Sequence, residues 1–234
     1  MLRSLLKTTP AMLVLSVVTA SLAFGADPAA TKTSAAAKGA TGAADEVAVM
    51  ETTKGKMVVE FWDKDAPQTV ANFKKLARQG FYDGTGFHRI IKGFMIQGGD
   101  PKSKNPKATD LGTGDPGYKI KDEFTSKKHV PGVISMANSG TPNSAGSQFF
   151  LMHGPAPFLD GKYTAFGKVI EGMDVLNDIA NTPVAANVMM GGEKSKPTEW
   201  TGLRTWTVQK RATQKLHVTT LPGIRITRME SGSR

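Results

Sequence analysis

The chain has 234 residues, 39% hydrophobic and 21% charged, proportions that fit one soluble domain with extensions. It has no cysteine, which excludes a disulfide, a thiolate nucleophile, a Cys-based zinc site and a lipid-anchored cysteine. The net charge of +10 would suit nucleic acid or an anionic membrane, but residues 203–234 hold seven Lys/Arg and a single Glu, a bias read as solvated tail charge, so no nucleic-acid partner is expected.

In chain order, residues 1–25 read as a secretory signal. Arg3 and Lys7 form a basic start, Met12 to Ala23 is apolar but short for a membrane span, and Ala23-Phe24-Gly25 offers a cleavage site after Gly25. The expected location is therefore periplasmic or secreted, with no stable membrane span after cleavage. An uncleaved anchor is the alternative. Residues 26–46 are Ala, Thr, Lys, Gly and Ser with few large apolar side chains, which predicts a flexible low-complexity linker.

The folded domain is expected over 47–210. Met57, Val59 and Phe61 alternate with Val58, Glu60 and Trp62 as in a strand, and Thr53-Lys54-Gly55-Lys56 predicts a hairpin turn before it. Asp65-Ala66-Pro67 opens a helix with Asp65 as the cap candidate, Val70, Phe73, Leu76 and Ala77 as its apolar face, and Gly80 as its stop. Two apolar runs flank Lys92-Gly93, a second turn signal. Gly112-Thr113-Gly114-Asp115-Pro116-Gly117 lacks the Gly-Lys-Ser/Thr of a phosphate loop and reads as a structural loop. Residues 130–137 read as a buried strand. In 147–152, Gln148, Phe150 and Met152 share one strand face, opposite Phe149 and Leu151. Asp160-Gly161 predicts a turn leading to another strand, Met173–Ala180 a short helix, 181–202 a loop, and Thr205–Gln209 a last strand. Residues 211–234 are treated as a basic extension. Many short strands, two helices and no βαβ rhythm predict a mainly β fold, an antiparallel barrel with helical caps.

The chemistry centres on residues 87–100. Arg89 is costly to bury without partners, so it is expected to face a groove. His88, His129, His153 and His217 have no metal-ligand spacing, and Ser135 and Ser147 lack an identifiable base, so no metal or cofactor is expected and hydrolase readings stay low. Rotation about an Xaa-Pro bond needs neither nucleophile nor proton acceptor. Its barrier of roughly 18–20 kcal/mol comes from amide resonance. A site lowers it by seating the proline ring in an apolar pocket, here Phe94, Met95, Phe150 and Leu159, and aiming a donor, Arg89, at the shifting charge.

Phe87-His88-Arg89-Ile90-Ile91, Gly93–Asp100, Met136-Ala137-Asn138, Gly146–Phe150 and Leu159–Lys162 together resemble the cyclophilins, the peptidyl-prolyl isomerase family, over about residues 47–210. The resemblance implies a closed eight-stranded antiparallel barrel capped by two α-helices, with the groove on an outer face. It implies Arg89 as the catalytic arginine, Gln97 as the residue that holds it, Gln148 as groove lining, and Ala137 and Asn138 as a backbone clamp. Phe158 and Tyr163 depart from the tryptophan and histidine of many eukaryotic members and are weaker groove candidates. Without an indole N–H at 158, cyclosporin binding is expected to be weak. The expected partner is a proline-containing segment of an unfolded exported protein, and a monomer is expected. The competing reading is a groove that binds such segments without turning them over.

Overall fold

The computed structural model describes residues 45–211. The signal at 1–25, nearly all of the 26–46 linker, His217 and the extension beyond Arg211 lie outside the described residues.

Strands β1 (Glu46–Thr52) and β2 (Gly55–Phe61) form a hairpin whose last pair is Thr52↔Gly55. The Thr52 hydroxyl accepts from the Lys54 and Gly55 N–H groups at 3.1 Å, and Gly55 takes φ +141°, a conformation L side chains rarely adopt. Helix α1 (Pro67–Arg78) follows, with Pro67 in its first turn and Val70, Phe73, Leu76 and Ala77 buried. Its cap differs from expectation. Asp65 does not cap it and instead pairs with Lys127 at 3.4 Å. The Glu123 carboxylate accepts from the Gln68 and Thr69 N–H groups at 3.0 and 2.8 Å, so a residue more than 50 positions away terminates the helix. Glu123→Ala should cost about 1 kcal/mol, a typical cap loss, read as a lowered midpoint in urea unfolding.

Strands β3 (Arg89–Ile91), β4 (Met95–Gly98), β5 (Val133–Met136), β6 (Phe149–Met152) and β7 (Ala165–Glu171) come next, then helix α2 (Met173–Ala180). The segment 181–202, expected as loop, contains a second hairpin of β8 (Val184–Asn187) and β9 (Glu193–Pro197). Its strands are Val-Ala-Ala-Asn and Glu-Lys-Ser-Lys-Pro, which show no apolar alternation, so the period-2 signal is missing. Strand β10 (Leu203–Lys210) completes the large sheet, whose order is β10-β1-β2-β7-β5-β6-β4-β3, antiparallel throughout. Both ends of the expected domain reach one step further than predicted: Glu46 starts β1, and the Arg211 N–H donates to the Asp45 carbonyl at 2.6 Å.

The sheet curls into an open half-barrel, not the closed barrel expected. Strands β3 and β10 are its edges. No ladder joins them; the segments leading into them meet at an isolated bridge, Gly86↔Gly202, flanked by backbone bonds from the Phe87 N–H to the Thr201 carbonyl at 3.1 Å, from the Leu203 N–H to the Thr85 carbonyl at 2.6 Å and from the Gly84 N–H to the Leu203 carbonyl at 2.9 Å. The physical reason is that β3 is three residues long and β9 lies beside it, so the free edge of β3 meets the small hairpin and not a ladder partner.

Two apolar clusters separate the faces of the sheet. The inner one is built around Phe73, which is fully buried and touches the rings of Phe61, Tyr82, Phe149, Phe166 and Trp206. The outer one contains Met95, Val133, Phe150, Met152, Ala156, Leu159 and Ala165. Phe149 and Leu151 fall in the first cluster and Phe150 and Met152 in the second, as the alternation of 147–152 predicts.

Candidate active site

The outer cluster is where register gathers the polar candidates. The β3–β4 hairpin turns at Lys92-Gly93, with Gly93 at φ +82° and its N–H donating to His153 Nδ1 at 2.8 Å. Pairing sets Arg89 opposite Gln97, and Gln97 opposite Phe150 on β6. Because side chains at i and i+2 share a face, Arg89, Gln97, Met95, Phe150 and Met152 emerge on one side of the sheet. There all but the fully buried Met152 border a groove of about 630 Å³. Its walls hold Arg89, Phe94, Met95, Gln97, Ala137, Asn138, Gln148, Phe150, Leu159 and Tyr163. Phe158 is not among them: it is 62% exposed and its ring sits 5.7 Å from that of Phe94, outside the wall. The Gly112–Asp115 loop, read from sequence as structural, supplies the opposite bank.

The guanidinium of Arg89 is held differently from expectation. Its Nε and one Nη donate, both at 2.9 Å, to the two carboxylate oxygens of Glu193 on β9. Gln97 instead donates from Nε2 to Gln148 Oε1 at 3.0 Å, and Gln148 Nε2 donates to the Gly112 and Gly114 carbonyls at 2.9 and 2.8 Å. The forked pair fixes the plane of the guanidinium and leaves three of its five N–H groups without a partner among the described residues. The same contact holds the Glu193 carboxyl below the usual carboxylate range. A cation of fixed orientation therefore stands beside a cup of apolar side chains.

The profile described as cyclophilin type peptidyl-prolyl cis-trans isomerase/CLD matches residues 47–204. The chain belongs to the cyclophilin family. A peptidyl-prolyl cis-trans isomerase of Synechococcus elongatus is 48% identical over 136 residues, covering 57% of this chain and 88% of that protein. Peptidyl-prolyl cis-trans isomerase B of Bacillus subtilis is 45% identical over 139 residues, covering 58% and 92%. The solved cyclophilin type isomerase of Cryptosporidium parvum, crystallised in the presence of the dipeptide Ala-Pro, superposes with a TM-score of 0.61 at 32% identity and covers 70% of this chain and 99% of its own. The activity is that of the family, rotation of Xaa-Pro peptide bonds.

Below the cyclophilin groove lies a support that the sequence concealed. The ring of His129 stacks on Phe150, centroids 6.0 Å apart and 25° between planes. Its Nδ1 meets Asp160 Oδ1 at 3.0 Å and its Nε2 meets Ser135 Oγ at 3.1 Å. Ser135 thus has a base partner after all. It is nonetheless fully buried, so the Ser-His-Asp arrangement has no route to a substrate and serves as packing behind Phe150. The backbone N–H of His129, foremost, and its ring hold the Asp160 carboxyl down at about 2. The Ala137 N–H is already committed to the Gln148 carbonyl at 2.9 Å, whereas the backbone N–H and carbonyl of Asn138 have no partner among the described residues.

Glu193 is the functional residue that sequence reading missed, 104 positions from Arg89 and inside a segment read as loop. Glu193→Gln should lower kcat about tenfold with KM nearly unchanged, short of the roughly 10²-fold that a 1 Å misplacement costs. The sign of the pH effect follows from the depressed carboxyl. The pair is intact at and above the ordinary carboxylate range and breaks as pH falls through and below it. Wild-type kcat should therefore decline at acid pH along a limb that Glu193→Gln lacks and Glu193→Asp retains, measured by exchange NMR on a proline peptide.

Proposed function

We propose that this isomerase is an exported folding catalyst acting on proline-containing segments of unfolded proteins, with Arg89 as its catalytic donor. The observation that carries the reading is a fixed guanidinium and an apolar cup within one groove. The proline ring sits among Phe94, Met95, Phe150 and Leu159, and the backbone of Ala137 and Asn138 aligns the preceding residues. As the C–N bond twists, resonance is lost and electron density collects on the prolyl nitrogen. A free N–H of Arg89 donates to that developing charge, so the twisted amide gains more than the planar one does. Gln97 and Gln148 hold the Gly112–Gly114 bank in place. No covalent step, metal or cofactor takes part.

Export rests on the basic, apolar and small-residue sequence at 1–25, with the mature chain starting at Ala26. Uncatalysed prolyl isomerisation takes tens to hundreds of seconds, slow enough to limit folding, which gives such an enzyme its use. The protein acts as a monomer and binds cyclosporin weakly, since Phe158 offers no N–H donor.

Exchange NMR on a proline peptide tests the activity. Accelerated cis/trans exchange is expected. Binding of the peptide with exchange left at background would favour the binding-module reading instead. Cell fractionation with N-terminal sequencing tests the location, and a cytoplasmic chain starting at Met1 would overturn it.

A further inference from the structure

The hairpin that supplies Glu193 carries something else at its tip. Val188, Met189 and Met190, between β8 and β9, are 87%, 49% and 37% exposed. Three consecutive exposed apolar residues are unusual for a surface turn with no apolar partner. Met190 is part of the wall of the main groove. Val188 and Met189 border a second, smaller cavity of about 80 Å³, shared with Leu111, Ala186 and His88. Gly112 lies between them: it lines the main groove, its neighbour Leu111 lines the second cavity, and a Cβ at Gly112 would lie 3.4 Å from Met190 Cε and 3.6 Å from His88 Nε2. With φ +92°, Gly112 has a conformation that disfavours any side chain between the two cavities. The His88 ring, buried, is pushed down to about 4 by desolvation and is neutral at physiological pH, so the wall it forms carries no charge. Lys196 is the charged residue at this cavity.

We propose that the Val188-Met189-Met190 tip is an apolar subsite that extends the substrate groove past Gly112 and selects a hydrophobic side chain near the proline of the bound segment. The occupant is the same polypeptide that fills the main groove, because the two cavities are lined by chain neighbours, Met190 and Gly112 on the main groove and Met189 and Leu111 on the second cavity. The inference rests on the prolyl-isomerase reading of that groove. The cavity, comparable to two or three waters at ~30 Å³ each, admits a branched aliphatic group and not an aromatic ring. Methionine suits varied clients, since its unbranched thioether reshapes around different apolar partners. The β9 anchor, Glu193 on Arg89, keeps the tip at a fixed distance from the catalytic group.

Exchange NMR on two peptide series tests the assignment, Leu in one and Ser in the other, scanned through each position flanking a common Xaa-Pro core. The wild type should favour Leu over Ser at one position by about 10-fold in kcat/KM, the low end of what a hydrophobic pocket discriminates. In Val188→Ser/Met189→Ser that ratio should collapse towards one. Equal rates for both series at every position in the wild type, or a preference that survives in the double variant, would overturn the subsite while leaving the isomerase intact. A wild type that accelerates no peptide would remove the isomerase reading and this inference with it.

Discussion

Arg89→Ala is expected to reduce kcat about 10²–10³-fold, the effect of deleting one preorganised donor aimed at a transition state. The reasoning is electrostatic. The planar ground state gives the guanidinium little to bind at the prolyl nitrogen, whose lone pair is delocalised, whereas the twisted state presents a localised pair. An interaction confined to the twisted state lowers kcat when removed and leaves peptide affinity nearly intact, because the apolar cup still seats the ring. Arg89→Lys should recover only part of the rate. A lysine keeps the charge but cannot form the forked contact with Glu193 that fixes donor orientation. Stability should change by under about 1 kcal/mol in either variant, since the ion pair is partly solvent-exposed. Exchange NMR with a titration of the same peptide separates the two effects. A rate within a few-fold of wild type in Arg89→Ala would remove the proposed donor role, and a large loss of affinity would point to ground-state binding instead.

Phe73→Ala is expected to cost about 3–5 kcal/mol, the range for deleting a buried aromatic ring. The ring joins α1 to four strands at once. Phe61 and Phe166 meet it from β2 and β7, Phe149 from β6 and Trp206 from β10, with centroids between 4.9 and 5.8 Å. Neighbours drawn from opposite ends of an open sheet cannot all collapse into the space, so a cavity remains and adds to the lost burial. For a domain of this size the thermal midpoint should fall by roughly 6–20 °C. The groove lies on the other face of β6, so enzyme that is still folded well below the midpoint should isomerise peptides at close to the wild-type rate. A drop under about 1 kcal/mol in urea unfolding would show that the core closes around the gap and that Phe73 is no hub.

The parts of this protein that its sequence determined are those with a short-range cause. Turn chemistry placed the hairpins at Thr53-Lys54 and Lys92-Gly93, the 3.6-residue pattern of Val70, Phe73, Leu76 and Ala77 placed α1, and strict alternation sent Phe149 and Phe150 to opposite faces of β6. Every residue that the family resemblance marked, except Phe158, lines the groove, but the 112–115 bank and Met190 were not marked. Tertiary structure alone decided what those residues lean on: Glu193 on Arg89, Glu123 on the start of α1, Asp160 and Ser135 on His129, and the small hairpin that keeps the half-barrel open beside β3. Periodicity and turn preference are properties of neighbouring residues, and they leave a trace in the chain. A carboxylate acquires its partner only when folding brings two distant segments together so that their polar groups lie within about 3 Å, and no pattern within either segment encodes that meeting.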